Sequence, residues 1–234
     1  MMLRAALLLA GLIALPVTMA QAAPNPVKQC ASFPTMKKMK LQSVASEMDF
    51  NGIPMVLRRF DSEEDIEAVF AFYRKEWAGV GQGGKPPVEY PLGEWKVIAT
   101  LREPCFYTVQ VKPSGRGSEG LLGLSAPPPE RTQVKEDVPM LPGTRVVNDI
   151  AHNDAGKTAR TLLLKNAFSA DANADFYRRN LGDQGWQVLS RHQGAVRDTR
   201  ADNMVLKQGP REVSVTISQT GRESSVLINY VDQP

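Results

Sequence analysis

The chain has 234 residues, 42% of them hydrophobic and 23% charged, with a formal net charge of +3. That length is enough for two modest hydrophobic cores. Lysines and arginines are dispersed among acids except at Lys37-Lys38-Met39-Lys40, so no basic stripe points to a nucleic-acid partner, and the short run reads as a solvated face.

Met1 to Ala22 reads as a secretory signal. Arg4 is followed by an apolar core from Ala5 to Val17, and Ala20 and Ala22 flank Gln21, which places the expected cleavage after Ala22. The core is too short for a membrane span and contains Pro16; no later apolar run is long enough to cross a bilayer. The expectation is a periplasmic or secreted protein with no transmembrane anchor. Its only cysteines are Cys30 and Cys105. An even count in an oxidising compartment favours one disulfide over two buried thiols, and the bridge would tie the N-terminal segment to the sheet of a first unit. Val27-Lys28-Gln29 before Cys30 excludes a lipid-attachment site.

Beyond a loop around Pro24, Pro26 and Pro34, Met39 to Ala45 and Pro54 to Phe60 bracket Asn51-Gly52, a strong hairpin signal because both residues tolerate positive φ. Ser62 with Asp65 resembles a capping box, and Ile66, Val69, Phe70, Tyr73 and Trp77 then fall on one helical face. Gly79 to Gly93 reads as a flexible loop without counterpart later in the chain. Its Gly79, Gly81, Gly83, Gly84, Lys85 and Tyr90 are candidate contact residues, because such insertions often carry function. Trp95 to Val97, Phe106 to Val111 and Leu121 to Leu124 read as strands.

Pro-rich Ala126 to Pro142 reads as a stiff linker, and the pattern then recurs. Phe72-Tyr73-Arg74 and Phe176-Tyr177-Arg178 are 104 positions apart (176 − 72), and Gly115-Arg116 and Gly221-Arg222 are 106 apart (221 − 115). Thr144 to Ile150 and Thr158 to Lys165 read as strands, and Ser169 caps a helix through Gly182, with Gly185 supplying a left-handed exit. Trp186 opens a third strand, and Val213 to Ile217 and Val226 to Tyr230 form a hairpin. The resulting expectation is an α+β protein of two tandem ββαβββ repeats, each an antiparallel sheet with one covering helix. The first spans 23–125 and the second 143–234, and pairing about a pseudo-twofold axis would cover the open face of each sheet.

Little here points to catalysis or to a cofactor. Ala151 to Thr158 matches the permissive form of a phosphate loop, but repeat alignment places a strand after Thr158 where that loop needs a helix. His152 and His192 are the only histidines, and neither has a second ligand at metal spacing. The residues shared between the repeats, Phe, Tyr, Arg, Trp and Gly, are framework residues. The expected function is therefore a non-catalytic exported protein that binds another envelope or secretion component through 79–93 or an exposed sheet edge. One alternative is a small-molecule or glycan-binding protein stacking its ligand on Tyr90, Trp95 and Trp186 in a cleft between the repeats. Another is an envelope hydrolase using His152 or His192.

Overall fold

In the computed structural model of the chain, which describes residues 26–127, 138–154 and 157–232, Asn51 and Gly52 take φ of 53° and 81° and turn the first hairpin. That hairpin joins β1 (Met39–Phe50) to β2 (Ile53–Ser62), which leads into α1 (Ile66–Glu76). Next come β3 (Val88–Leu92), β4 (Trp95–Arg102), β5 (Cys105–Ser114) and β6 (Gly117–Ser125). After the linker follow β7 (Arg145–Asp154), β8 (Lys157–Asn166), α2 (Ala170–Asp183), β9 (Gln187–Val196), β10 (Thr199–Gln208), β11 (Arg211–Thr220) and β12 (Glu223–Asp232). The signal read in residues 1–22 and linker residues 128–137 lie outside the described residues.

These strands correct the expected α+β pair of ββαβββ repeats. The chain is mostly β, and its strands form one 12-stranded antiparallel sheet in the order β3-β4-β5-β6-β2-β1-β7-β8-β12-β11-β10-β9. Four strands rather than three follow each helix. The two that the sequence pattern hides are β3 and β10. Pro91 disguises β3, since proline cannot donate to a ladder, but an edge strand needs its donors on one side only. In β10 the core-facing positions are Asp202, Met204 and Leu206, and the leading carboxylate breaks the apolar alternation.

The halves also do not cover one another; they join edge to edge. Glu47 to Phe50 of β1 pair with Ile150 to Asn153 of β7, and the turn completes the seam. The Asn51 N–H donates to the Asp149 carbonyl and the Asp149 N–H donates to Asn51 Oδ1, both at 2.7 Å. Arg160 Nε and Nη2 hold the Asp149 carboxylate at 2.9 and 2.8 Å. Asp49 sits opposite both Pro54 and Ala151, and Ala151 opposite Arg160. Following alternate residues outward from that row leads to Phe60 in one wing and to Leu162 and Leu164 in the other, the residues beneath α1 and α2. Both helices therefore lie on one face of the sheet, and among the described residues the opposite face carries no helix.

The α1 cap is Asp65, whose Oδ1 accepts from the Ala68 N–H at 2.8 Å; Ser62, the expected cap, ends β2 and accepts from the Glu64 N–H. Val69, Phe70, Tyr73 and Trp77 are buried against Phe60, Ile98, Tyr107, Val109, Val111 and Leu122. Cys30 and Cys105 form the expected disulfide, which fastens the N-terminal segment onto this core. In the second wing Ser169 caps α2 by accepting from the Ala172 N–H at 3.1 Å, and Gly185 leaves the helix at φ 88°. Ala174, Tyr177 and Leu181 pack on Met204, Leu206, Val213, Val215, Val226 and Ile228. Val138, within the expected linker and the first described residue beyond position 137, is buried in the same core.

Tyr73 and Tyr177 belong to the same Phe-Tyr-Arg triplet of the two helices and differ in one bond. Tyr73 Oη donates to the Pro34 carbonyl at 3.0 Å, whereas the buried Tyr177 hydroxyl has no partner among the described residues. Burial pushes the pKa of both hydroxyls up, so both stay protonated at neutral pH. Tyr73→Phe should destabilise by about 1 kcal/mol and Tyr177→Phe should stabilise by up to about 1 kcal/mol, because only the first removes a made bond. Urea midpoints read the difference, and a shift in the same direction for both would refute it.

Candidate functional site

The segment expected to be a free loop is built into the sheet. Gln82–Gly84 form a 3-10 turn, β3 follows at the outer edge, and Gly93 takes φ 61° in the turn to β4. Gly81 has no room for a side chain, since a Cβ there would lie 2.3 Å from the Lys85 carbonyl oxygen. Gln82 donates to Glu103, which ties the turn to the β4–β5 connection. Of the candidate residues, Gly79, Gly81, Gly83, Gly84 and Lys85 lead into the edge and Tyr90 lies on it.

β3 is held to α1 from the helix side. Arg74 Nε and Nη2 meet the two Glu89 oxygens at 2.6 and 2.8 Å, and Arg74 Nη1 meets Glu67 at 2.5 Å. The bonds from Arg74 hold the Glu89 carboxyl below its ordinary pKa. With Glu89 turned toward the helix, strand alternation turns Val88, Tyr90 and Leu92 to the helix-free face, where they are 58%, 44% and 50% exposed. Their partners on β4 are Ala99, Val97 and Trp95, of which Ala99 and Val97 are buried. Leu101 of β4 and its partner Phe106 of β5 continue the apolar surface. A cavity of about 160 Å³ opens beside it, lined by residues that include Lys85, Val88, Leu101 and Phe106.

Charged residues rim this patch on the same face. Lys112 Nζ sits 4.8 Å from the Trp95 ring centroid and pairs with Glu94 at 3.3 Å and Glu119 at 3.5 Å; Arg59 reaches Glu119 at 2.7 Å. The arrangement is an apolar centre with a mixed-charge border, which suits a protein surface. One side of the Trp95 ring is already covered by the ammonium.

Trp186, expected to work with Tyr90 and Trp95, is in the other wing and on the helix side. It packs edge-on to Tyr230 at 6.1 Å, with the Arg211 guanidinium 5.4 Å above its ring. A cavity of about 430 Å³ lies there, lined by Arg160, Gln184, Trp186, Gln208, Arg211 and Tyr230 among others. The three aromatic side chains therefore share no cleft.

His152 on β7 and His192 on β9 are five strand spacings apart, roughly 24 Å. No group of three or more His, Cys, Asp or Glu is placed to hold a metal ion among the described residues. Ala155 and Gly156 of the phosphate-loop match lie outside the described residues, and Lys157 opens strand β8 rather than a helix. Among the described residues, no helix is long and apolar enough to cross a membrane.

Two groups that carry the geometry had no signal in the sequence. Val88 and Leu92 carry no strand signal because Pro91 between them reads as loop. The Asp202 carboxylate is buried and meets Arg191 Nη2 at 2.5 Å and Gln193 Nε2 at 2.8 Å. Burial alone would raise the Asp202 pKa, but the bonds from Arg191 and Gln193 outweigh it and hold the carboxyl low. This pair clamps β9 to β10 at the other outer edge of the sheet.

No known protein family matches the chain, and no curated protein or solved structure is similar to it.

Proposed function

We propose that the protein is a non-catalytic binding protein of an oxidising extracytoplasmic compartment, and that it engages another protein through the helix-free face at β3. The supporting observation is the register of β3: Val88, Tyr90 and Leu92 are exposed on one face, beside buried Val97 and Ala99 of the neighbouring strand. Exposed apolar side chains gathered on one face are costly in water and mark contact surfaces. Pro91 withholds a backbone donor from the strand, so the partner rests on the side chains rather than adding a strand at this edge. The Cys30–Cys105 disulfide fits the exported location. The glycan reading loses its third stacking residue, because Trp186 is in the other wing.

A photo-reactive phenylalanine derivative in place of Tyr90 should cross-link a discrete partner in the producing cell, and the same group in place of exposed Asp175 on α2 should not. Val88→Glu with Leu92→Glu should abolish the cross-link and leave the melting temperature within about 2 °C, since both side chains already face solvent. Equal labelling from positions 90 and 175, or a cross-link that survives the double substitution, would overturn the assignment.

A further inference from the structure

Between the 3-10 turn Pro26–Gln29 and β1, residues 31–36 adopt neither helix nor strand and cross the groove between α1 and β5. The Phe33 ring enters a cage of three aromatic side chains, with centroids 6.1 Å from Tyr73, 6.1 Å from Trp77 and 5.3 Å from Tyr107. Two hydroxyls of that cage hold the segment by its backbone: Tyr107 Oη donates to the Ala31 carbonyl at 2.9 Å and Tyr73 Oη to the Pro34 carbonyl at 3.0 Å. The cage has a third donor, Trp77 Nε1, which is buried and has no partner among the described residues. Ala31 and Ser32 are exposed and Phe33 and Pro34 only half-buried, so the segment rides on the groove rather than being enclosed by it.

Aromatic walls with side-chain donors aimed at the carbonyls of an extended, proline-containing chain are a general way of recognising such peptides. The proline stiffens the ligand, and the carbonyls of an extended chain stay free to accept. We propose that the α1–β5 groove is a recognition site for extended peptides carrying an aromatic–proline pair. Residues 31–34 of the chain itself fill the site, and the Cys30–Cys105 bridge keeps them seated. The chain joins residues 31–34 to β1 at one end and the bridge fixes them at the other, so the internal segment has a high effective concentration and a partner peptide competes only when the bridge is open and the Phe33 ring is removed. The groove is on the helix face and β3 presents the opposite one, so this site and the proposed β3 contact stand or fall separately.

The test uses the full mature chain with Cys30→Ser, Cys105→Ser and Phe33→Ala, which vacates the groove. Two dye-labelled probes are read by fluorescence anisotropy: a peptide of residues 26–38 with Cys30→Ser, and Ala-Ser-Phe-Pro within Gly/Ser flanks. Both should bind the opened chain and bind the disulfide-bonded wild type at least about 10-fold more weakly. Adding Tyr73→Phe and Tyr107→Phe to the opened chain should weaken both by about 10- to 30-fold, the loss of two hydrogen bonds. If the opened chain does not fold alone, the same peptides must restore its cooperative melt by circular dichroism. The proposal is overturned by equal binding to wild type, by indifference to the two hydroxyls, by binding that requires the native flanks, or by neither binding nor restoration.

Discussion

Serine at Cys30 should lower the free energy of unfolding by about 4 kcal/mol relative to the disulfide-bonded protein. The bridge joins residues 75 positions apart, and closing so long a loop removes much of the freedom of the unfolded chain. The segment it holds is short and half-exposed, so few contacts remain to hold it once the tether is gone. Cys105→Ser and the double variant should match Cys30→Ser within error, because each removes the same closure. At roughly 2–4 °C per kcal/mol for a chain of this size, the midpoint of thermal unfolding should fall by about 10 °C or more. A change below about 1 kcal/mol in guanidinium titrations would mean that the unfolded chain was never freed by losing the bridge.

Trp77→Ala should cost about 3–5 kcal/mol, a loss of the same order for a different reason. Trp77 is fully buried at the end of α1, with ring centroids 4.9 Å from Tyr73, 6.1 Å from Phe33 and 6.3 Å from Tyr107. Its backbone N–H closes the helix on the Tyr73 carbonyl at 2.9 Å, and alanine keeps that bond, so the loss is one of packing. The hole would sit where helix, sheet and N-terminal segment meet, and none of the three can fill it alone. Trp77→Phe should cost under about 1.5 kcal/mol, because most of the contact survives and a buried N–H with no partner among the described residues is removed. Denaturant titrations of the pair measure the gap. Similar costs for Ala and Phe would show that the ring adds little to packing.

Both effects arise where local signals were strong. The 3.6-residue spacing from Ile66 to Trp77, the Asn51-Gly52 turn, the Ser169 cap and the Gly185 exit act over one or two turns of chain, and their chemistry can be read from neighbours alone. The cysteine pair was legible for another reason: with two thiols there is one bridge to form. The contact face was legible only in part. Tyr90 stood out as an aromatic among glycines and prolines, but Val88 and Leu92 belong with it only because Glu89 is drawn to Arg74, fifteen positions away. Trp95 and Trp186 look alike in the sequence and lie in different wings.

Composition and spacing by themselves determined the two helices and the apolar face of each, the Asn51-Gly52 and C-terminal hairpins, and the bridge at Cys30. Only the tertiary structure decided that the strands form one sheet rather than two. That outcome rests on backbone groups at the ends of β1 and β7 and on the Asn51 side chain meeting Asp149, 98 positions along the chain. Edge pairing uses the N–H and C=O groups that every residue has, so it leaves no mark in side-chain periodicity. The same choice left the face opposite the helices without a covering layer among the described residues, and β3 presents its apolar side chains there.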